Sequence, residues 1–285
     1  MRYKITHSTS YSYDAEVEGC YERACLRPRD TGTQQVLEFS ITASPAVGYV
    51  ETHTDVYGNY STYLELPGGT QQIEVVSTSV VDVWGAGDDP LTATVAQAAA
   101  LSDRLDPREL ADFTSQSRLV RFSGGLRAYS APVLAPDRPL AEALEELLAN
   151  IHRDFDYRKG VTGVGTSVEQ VLSCKEGVCQ DFAHLFVGAC RMAGLAARYV
   201  SGYLETDPPP GRAKLRGADA THAWASVWTG ERWLDLDPTN NKNADERHIT
   251  LAWGRDFDDV SPLRGIVMTE AKHSQLKVAV DVEAV

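Results

Sequence analysis

No run of this 285-residue chain is apolar for long enough to cross a bilayer, and the opening Met1-Arg2-Tyr3-Lys4-Ile5-Thr6-His7 lacks the apolar stretch of an export signal. No membrane partner is expected, and the chain as given is expected to stay in the cytoplasm. Positive charge is also short. There are 27 Lys and Arg against 40 Asp and Glu, a formal net charge of −13. With a pI near 5.0, such a chain disfavours sequence-independent nucleic-acid binding and docking on anionic lipid. The cysteines are five, Cys20, Cys25, Cys174, Cys179 and Cys190. An odd count without an export signal fits reduced thiols better than a disulfide framework.

Cofactor signatures are missing as well. Cys20/Cys25 and Cys174/Cys179 are spaced more widely than zinc-knuckle pairs, and no histidine pair follows at finger spacing, so no metal is expected. The loop bearing Gly160, Gly163 and Gly165 lacks the Gly-Lys-Ser/Thr that grips phosphates. No acidic loop has the EF-hand pattern, and no Cys-x-x-Cys pair sits beside a βαβ unit. Nucleotide binding, calcium binding and thiol-redox chemistry are set aside, and no cofactor is expected.

What is present reads as an ordinary globular chain, 43% hydrophobic and 24% charged. Residues 1–85 alternate like strands: Tyr3, Ile5, Tyr11 and Tyr13, then Leu37, Phe39 and Ile41, then runs flanking a hairpin at Tyr57-Gly58-Asn59. Several short strands without helices must bury one face against another sheet, so an N-terminal β-sandwich domain is expected over 1–85. Gly85-Ala86-Gly87-Asp88-Asp89-Pro90 marks a boundary. Beyond it, 86–135 reads as a connector of short helices, and 136–285 as a catalytic core. Asp137 is expected to cap an amphipathic helix whose Leu140, Leu144, Leu147, Leu148, Ile151 and Phe155 share a face. Ser167-Val168-Glu169-Gln170 is a capping box opening a second helix, which is expected to close near Gly177.

The chemistry gathers in three later stretches. Phe182, Leu185, Phe186 and Ala189 recur at helical spacing directly after Cys179, placing the thiol in a first turn where unpaired N–H groups and the helix dipole favour an anion. Asp219–Trp228 alternates like a strand and carries His222 near its start. Arg232–Asp237 reads as the next strand, stopped by Pro238, with Thr229-Gly230-Glu231 as a short hairpin loop. Antiparallel pairing brings His222 and Asp237 side by side. A thiol nucleophile needs a base, and the base needs an orienting partner; Cys179, His222 and Asp237 supply the three. His184 and His248 are expected to be structural, His248 because it lacks a strand-paired acidic neighbour. Cys190 is expected in the core, and an oxidative off-switch between Cys174 and Cys179 is a hypothesis. The Glu205–Gly217 loop, with Pro208-Pro209-Pro210, is expected to overhang the cleft.

The blocks Gly177-Val178-Cys179-Gln180-Asp181, Thr221-His222-Ala223-Trp224 and Asp237-Pro238-Thr239-Asn240 resemble the transglutaminase-like superfamily. They are most similar to its bacterial branch, as are Gly254–Gly265 and the N-terminal Arg2–Trp84 region. The resemblance implies an α+β fold with a papain-like core, the nucleophile helix packed on an antiparallel sheet. It also implies that Cys179 is the nucleophile, His222 the base and Asp237 its orienter. The expected reaction is acyl transfer on a peptide or protein substrate through a thioester, with hydrolysis favoured over transglutaminase cross-linking and a silent scaffold as the reading of another class. The backbone N–H of Cys179 is the first oxyanion donor. Gln180, Tyr157 and Trp224 are candidates for the second donor or the cleft lining, with packing as the commoner fate of Tyr157.

Overall fold

The computed structural model describes residues 1–85, 87, 90–206, 217, 219 and 221–285. Two long strands, β1 (Arg2–Ala24) and β4 (Tyr60–Val83), pair antiparallel from Arg2 opposite Asp82 to Ala24 opposite Thr62, with a register break between Ser12 and Val17. β2 (Gln34–Ser44) adds to the far half of β4 and β3 (Tyr49–Thr54) to its near half. The expected hairpin forms: the Asp55 side chain accepts from the N–H groups of Tyr57 and Asn59, and Gly58 takes φ +76°.

The strands expected as a sandwich lie in one six-stranded sheet, which two strands from the end of the chain complete. Tyr11 and Tyr13, on one side of the break in β1, pack against the cluster that Val17 and Cys20 enter on the other. Val17, Cys20, Leu64, Leu66, Ile73 and Val75 belong to that cluster.

The chain then turns helical with α1 (Val95–Ala100), α2 (Pro107–Thr114) and α3 (Gly124–Ser130). α4 (Leu140–Asp154) buries its whole predicted face. Its N-cap is Pro139 without a side-chain cap, not Asp137, because the chain enters from an extended Pro139 that pairs with Thr94. The strands β5 (Asp156–Tyr157) and β6 (Glu176–Gly177) pair in parallel around α5 (Val168–Cys174), which carries the predicted Ser167/Gln170 capping box. α5 closes at Lys175, φ +58°, and not at Gly177. Gly177 has another duty: a Cβ there would lie 3.0 Å from Asp181 Oδ2 and 3.2 Å from the Phe182 ring.

α6 (Cys179–Met192) packs on an antiparallel sheet ordered β10-β9-β8-β7-β11, in which β7 is Ala197–Leu204, β8 Thr221–Trp228, β9 Trp233–Asp237, β10 Lys242–Asn243 and β11 His248–Gly254. Phe182, Leu185, Phe186, Ala189 and Cys190 meet Ala197, Ala225, Val227 and Leu236 in one core. Gly194, φ +83°, ends α6 as expected.

After α7 (Phe257–Val260), β12 (Leu263–Thr269) and β13 (Ser274–Ala284) leave the core and pair with β1. The expected 136–285 core thus loses its last two strands to the N-terminal sheet. Without them β1 would present a long open edge, a liability that pairing removes. The two halves also share a core: Tyr3, Ile5, Val81 and Val83 pack with Tyr199, Tyr203, Ile249, Val280 and Val282. Most of the expected Glu205–Gly217 overhang, and Ala86, Asp88 and Asp89 of the expected boundary, lie outside the described residues.

Candidate active site

Cys179 is the first residue of α6, following Val178 in extended backbone. Valine has no side-chain acceptor for a cap. Asp181 holds the turn instead, its Oδ2 accepting from the Val178 N–H at 2.8 Å and the Thr162 hydroxyl at 2.7 Å. As first residues of the helix, Cys179 and Gln180 present N–H groups with no intrahelical acceptor.

The β8–β9 register pairs Ala225 with Leu236 and Trp228 with Trp233, so Asp237 at the strand end lies diagonal to His222. His222 Nε2 meets Asp237 Oδ2 at 2.7 Å, and the ring lines one hollow with Cys179. Cys179 and His222 thus share a hollow, and Asp237 contacts the imidazole. Burial alone would hold the imidazolium down, but the hydrogen bonds and charges of Asp237 and Cys179 outweigh it and lift His222 to about 10. Burial likewise opposes ionisation of Asp237, yet bonds from His222, His248 and Asn240 hold its carboxyl far below the usual range.

That carboxylate is saturated. Oδ1 accepts the N–H groups of Thr239 (3.0 Å) and Asn240 (3.2 Å). Oδ2 accepts from His222, from Asn240 Nδ2 at 2.6 Å and from His248 Nε2 at 3.2 Å. His248 is thus no bystander: the strand pairing that the sequence reading lacked is replaced by a bond across the strand ends. Its sequence signal was Asp245-x-x-His248, whose two side chains meet at 2.8 Å. His222, Asp237 and His248 offer ligand atoms all within 4.8 Å of one another, a set a divalent cation accepts. Every nitrogen facing Asp237 is already engaged with it, so hydrogen bonding accounts for the cluster.

The three other candidates separate. Tyr157 is half exposed and lines a hollow of about 370 Å³ with Cys179, His222, Lys159, Thr239 and Asn240, while its ring packs edge-on against Phe182. Gln180 donates its side-chain amide to Val164 O at 3.3 Å, away from the thiol. Trp224 is fully buried against the rings of His222 and His248, at 6.1 and 5.3 Å, so it supports the site from beneath and does not face the cleft. Larger hollows lie elsewhere, one of about 650 Å³ near Tyr57 and Arg255. Arg255 clamps Asp259 there with two contacts of 2.9 Å. His184 is buried against Tyr199, and its Nε2 accepts from the Phe257 N–H. Cys174 lines a different hollow from Cys179.

The electrostatics set a pH signature for stability. His222 binds its proton more tightly folded than unfolded, so its contribution is full below the ordinary value of 6.5 and is lost as pH rises toward about 10. Asp237 is the converse, contributing above 3.8 and losing its contribution as pH falls. The Tm gap between wild type and His222→Ala is expected to be widest near pH 6 and to narrow toward pH 10. A gap that widens with pH would contradict the raised imidazolium.

The chain matches the model of the transglutaminase-like superfamily over residues 127–238 and that of the bacterial transglutaminase-like N-terminal region over residues 3–82. An uncharacterised protein of Mycobacterium tuberculosis is 42% identical over 294 residues, covering 99% of this chain and 92% of the relative. A shorter match, 32% identical over 93 residues, covers 31% of this chain and 14% of a protein-glutamine gamma-glutamyltransferase of Pseudomonas aeruginosa. The solved structure of a candidate cysteine protease from Cytophaga hutchinsonii superimposes with a TM-score of 0.75 at 21% identity, covering 100% of this chain and 92% of that one, and so shares the fold. The chain belongs to the transglutaminase-like superfamily, in the bacterial branch whose N-terminal β region precedes the core.

Proposed function

We propose that the protein is a cysteine-dependent acyl transferase acting on peptide or amide substrates, with water as its usual acceptor. The observation that carries this reading is the His222–Asp237 pair at 2.7 Å, with the ring lining one hollow together with a thiol at a helix N-terminus. His222 takes the proton of Cys179, and the sulfur attacks the carbonyl carbon. The N–H groups of Cys179 and Gln180 receive the oxyanion, a role for the Gln180 backbone and not its tethered side chain. Collapse of the adduct passes the proton from His222 to the leaving amine and leaves a thioester. Water then attacks with His222 as base, restoring the thiol.

A primary amine in place of water gives the cross-linking reaction, a reading favoured by the name of the Pseudomonas relative. Lys159 on the cleft wall weighs against it, because a fixed cation disfavours a protein lysine ammonium as acceptor. All five cysteines are free, which supports a reducing compartment.

The test is alkylation of Cys179 by iodoacetamide across pH, followed by peptide mass spectrometry. An ordinary thiol is about 0.3% thiolate at pH 6, so the paired thiol is expected to react fast there and His222→Ala to slow it roughly 100-fold. Fast labelling warrants amide substrates with and without added amine. A profile that follows ordinary thiol titration would favour the silent scaffold.

A further inference from the structure

We propose that His248 is a positioning residue for this acyl transfer, fixing from the buried side the same Asp237 oxygen that orients His222. The inference rests on the thiol–imidazole reading above and adds a residue to it.

Both rings converge on Oδ2, His222 at 2.7 Å and His248 at 3.2 Å, and the side chains of Asp237 and His248 are 0% and 2% exposed. An imidazole in such a place loses its water, a cost that an apolar side chain of similar size would not carry. It recovers that cost only as a donor. Its second nitrogen is anchored: Nδ1 lies 3.1 Å from the Asp245 N–H and 2.8 Å from Asp245 Oδ1. Asp245 is itself held by Lys242 Nζ at 2.8 Å and the Arg247 N–H at 3.0 Å. The ring edge rests on Trp224, whose other neighbour is His222. Titratable and charged groups near His248 are therefore Asp237, His222 and Asp245, with Lys242 behind Asp245 and Arg247 next in the chain, paired with Glu205 at 3.3 Å.

The geometry gives His248 a specific task. β11 is separated from β9 by two strands in the sheet, so the chain from Asp237 to His248 runs across the strand ends. The Nε2–Oδ2 bond ties the two ends of that crossing together. With five donors on its two oxygens, the carboxylate has one orientation, and His222 inherits one ring plane and one tautomer. Remove His248, and Oδ2 keeps two of its three donors while the crossing is freed at its far end.

The experiment uses the full chain and iodoacetamide at pH 6 and pH 10. An ordinary exposed thiol is largely ionised at pH 10, so only the pH 6 rate reads the pairing. His248→Leu is expected to slow pH 6 labelling about tenfold, the scale of one hydrogen bond to a charged group, and to leave the pH 10 rate unchanged. His248→Gln, whose amide nitrogen reaches the position of Nε2, is expected to restore most of the rate. His248→Asn, which falls short, is not. If the leucine variant fails to fold, the Gln and Asn pair decides: fast and slow supports positioning, equal rates overturn it. Wild-type labelling in His248→Leu at pH 6 also overturns it, as does a loss equal at both pH values that Gln does not restore. Ordinary thiol titration in the wild type itself would instead take down the acyl-transfer reading, and this one with it.

Discussion

Asp237→Asn is expected to lower amide turnover by about 10³–10⁴-fold in a chain that still folds, the scale that a wrong histidine tautomer costs a catalytic triad. The reason is a count of donors. Oδ1 faces two backbone N–H groups, and Oδ2 faces two imidazoles and the Asn240 amide. An asparagine has one oxygen and one NH₂, so either orientation sets an NH₂ against donors. Placed toward His222, it forces the Nε2 proton off and onto Nδ1, which then points a hydrogen at the sulfur and cannot act as base. Placed toward Thr239 and Asn240, it opposes two backbone N–H groups. The conflict should also cost about 1–3 kcal/mol of stability. Turnover within tenfold of wild type, on a substrate that His222→Ala no longer cleaves, would sink the role given to Asp237.

The parts of this site written in the sequence are those set by local rules. Helical spacing after Cys179, a strand beginning at His222 and a strand ending before Pro238 are each encoded within ten residues, and the short hairpin between them sets the register. His248 escaped because its bond to Asp237 depends on how four strand ends meet, which no periodicity carries. Trp224 escaped for a related reason. β8 is buried on both faces, so alternation along it does not tell cleft from interior. The pairing of β12 and β13 with β1 joins residues some 260 positions apart in the chain, and strand patterning names no partner. Alternation in β2 misled more directly. A bulge between Val36 and Glu38 shifts its parity and leaves Leu37 41% exposed.

The second large effect lies in the floor of the site. Gly202, in β7, faces His222 on one side and Thr250 on the other. A Cβ there would overlap the Ile249 carbonyl oxygen and Trp224 Cη2, and lie 2.7 Å from Trp224 Cζ3. The indole fills the space a side chain would take. It cannot yield, being fully buried and packed against both histidine rings. Gly202→Ala is expected to cost about 3 kcal/mol, as overpacking against backbone does, and to lower Tm by roughly 6–10 °C. The strain should reach the chemistry too. A displaced Trp224 moves His222 and His248 together, so pH 6 labelling of Cys179 should fall even at temperatures where the variant is fully folded by circular dichroism. Gly202→Ala combined with Trp224→Phe, which shortens one of the two clashing groups and leaves the Ile249 carbonyl, is expected to recover part of the stability lost in Gly202→Ala alone. If the double variant is no more stable, the indole is not what Gly202 accommodates, and the packing argument for a floor beneath both histidines fails.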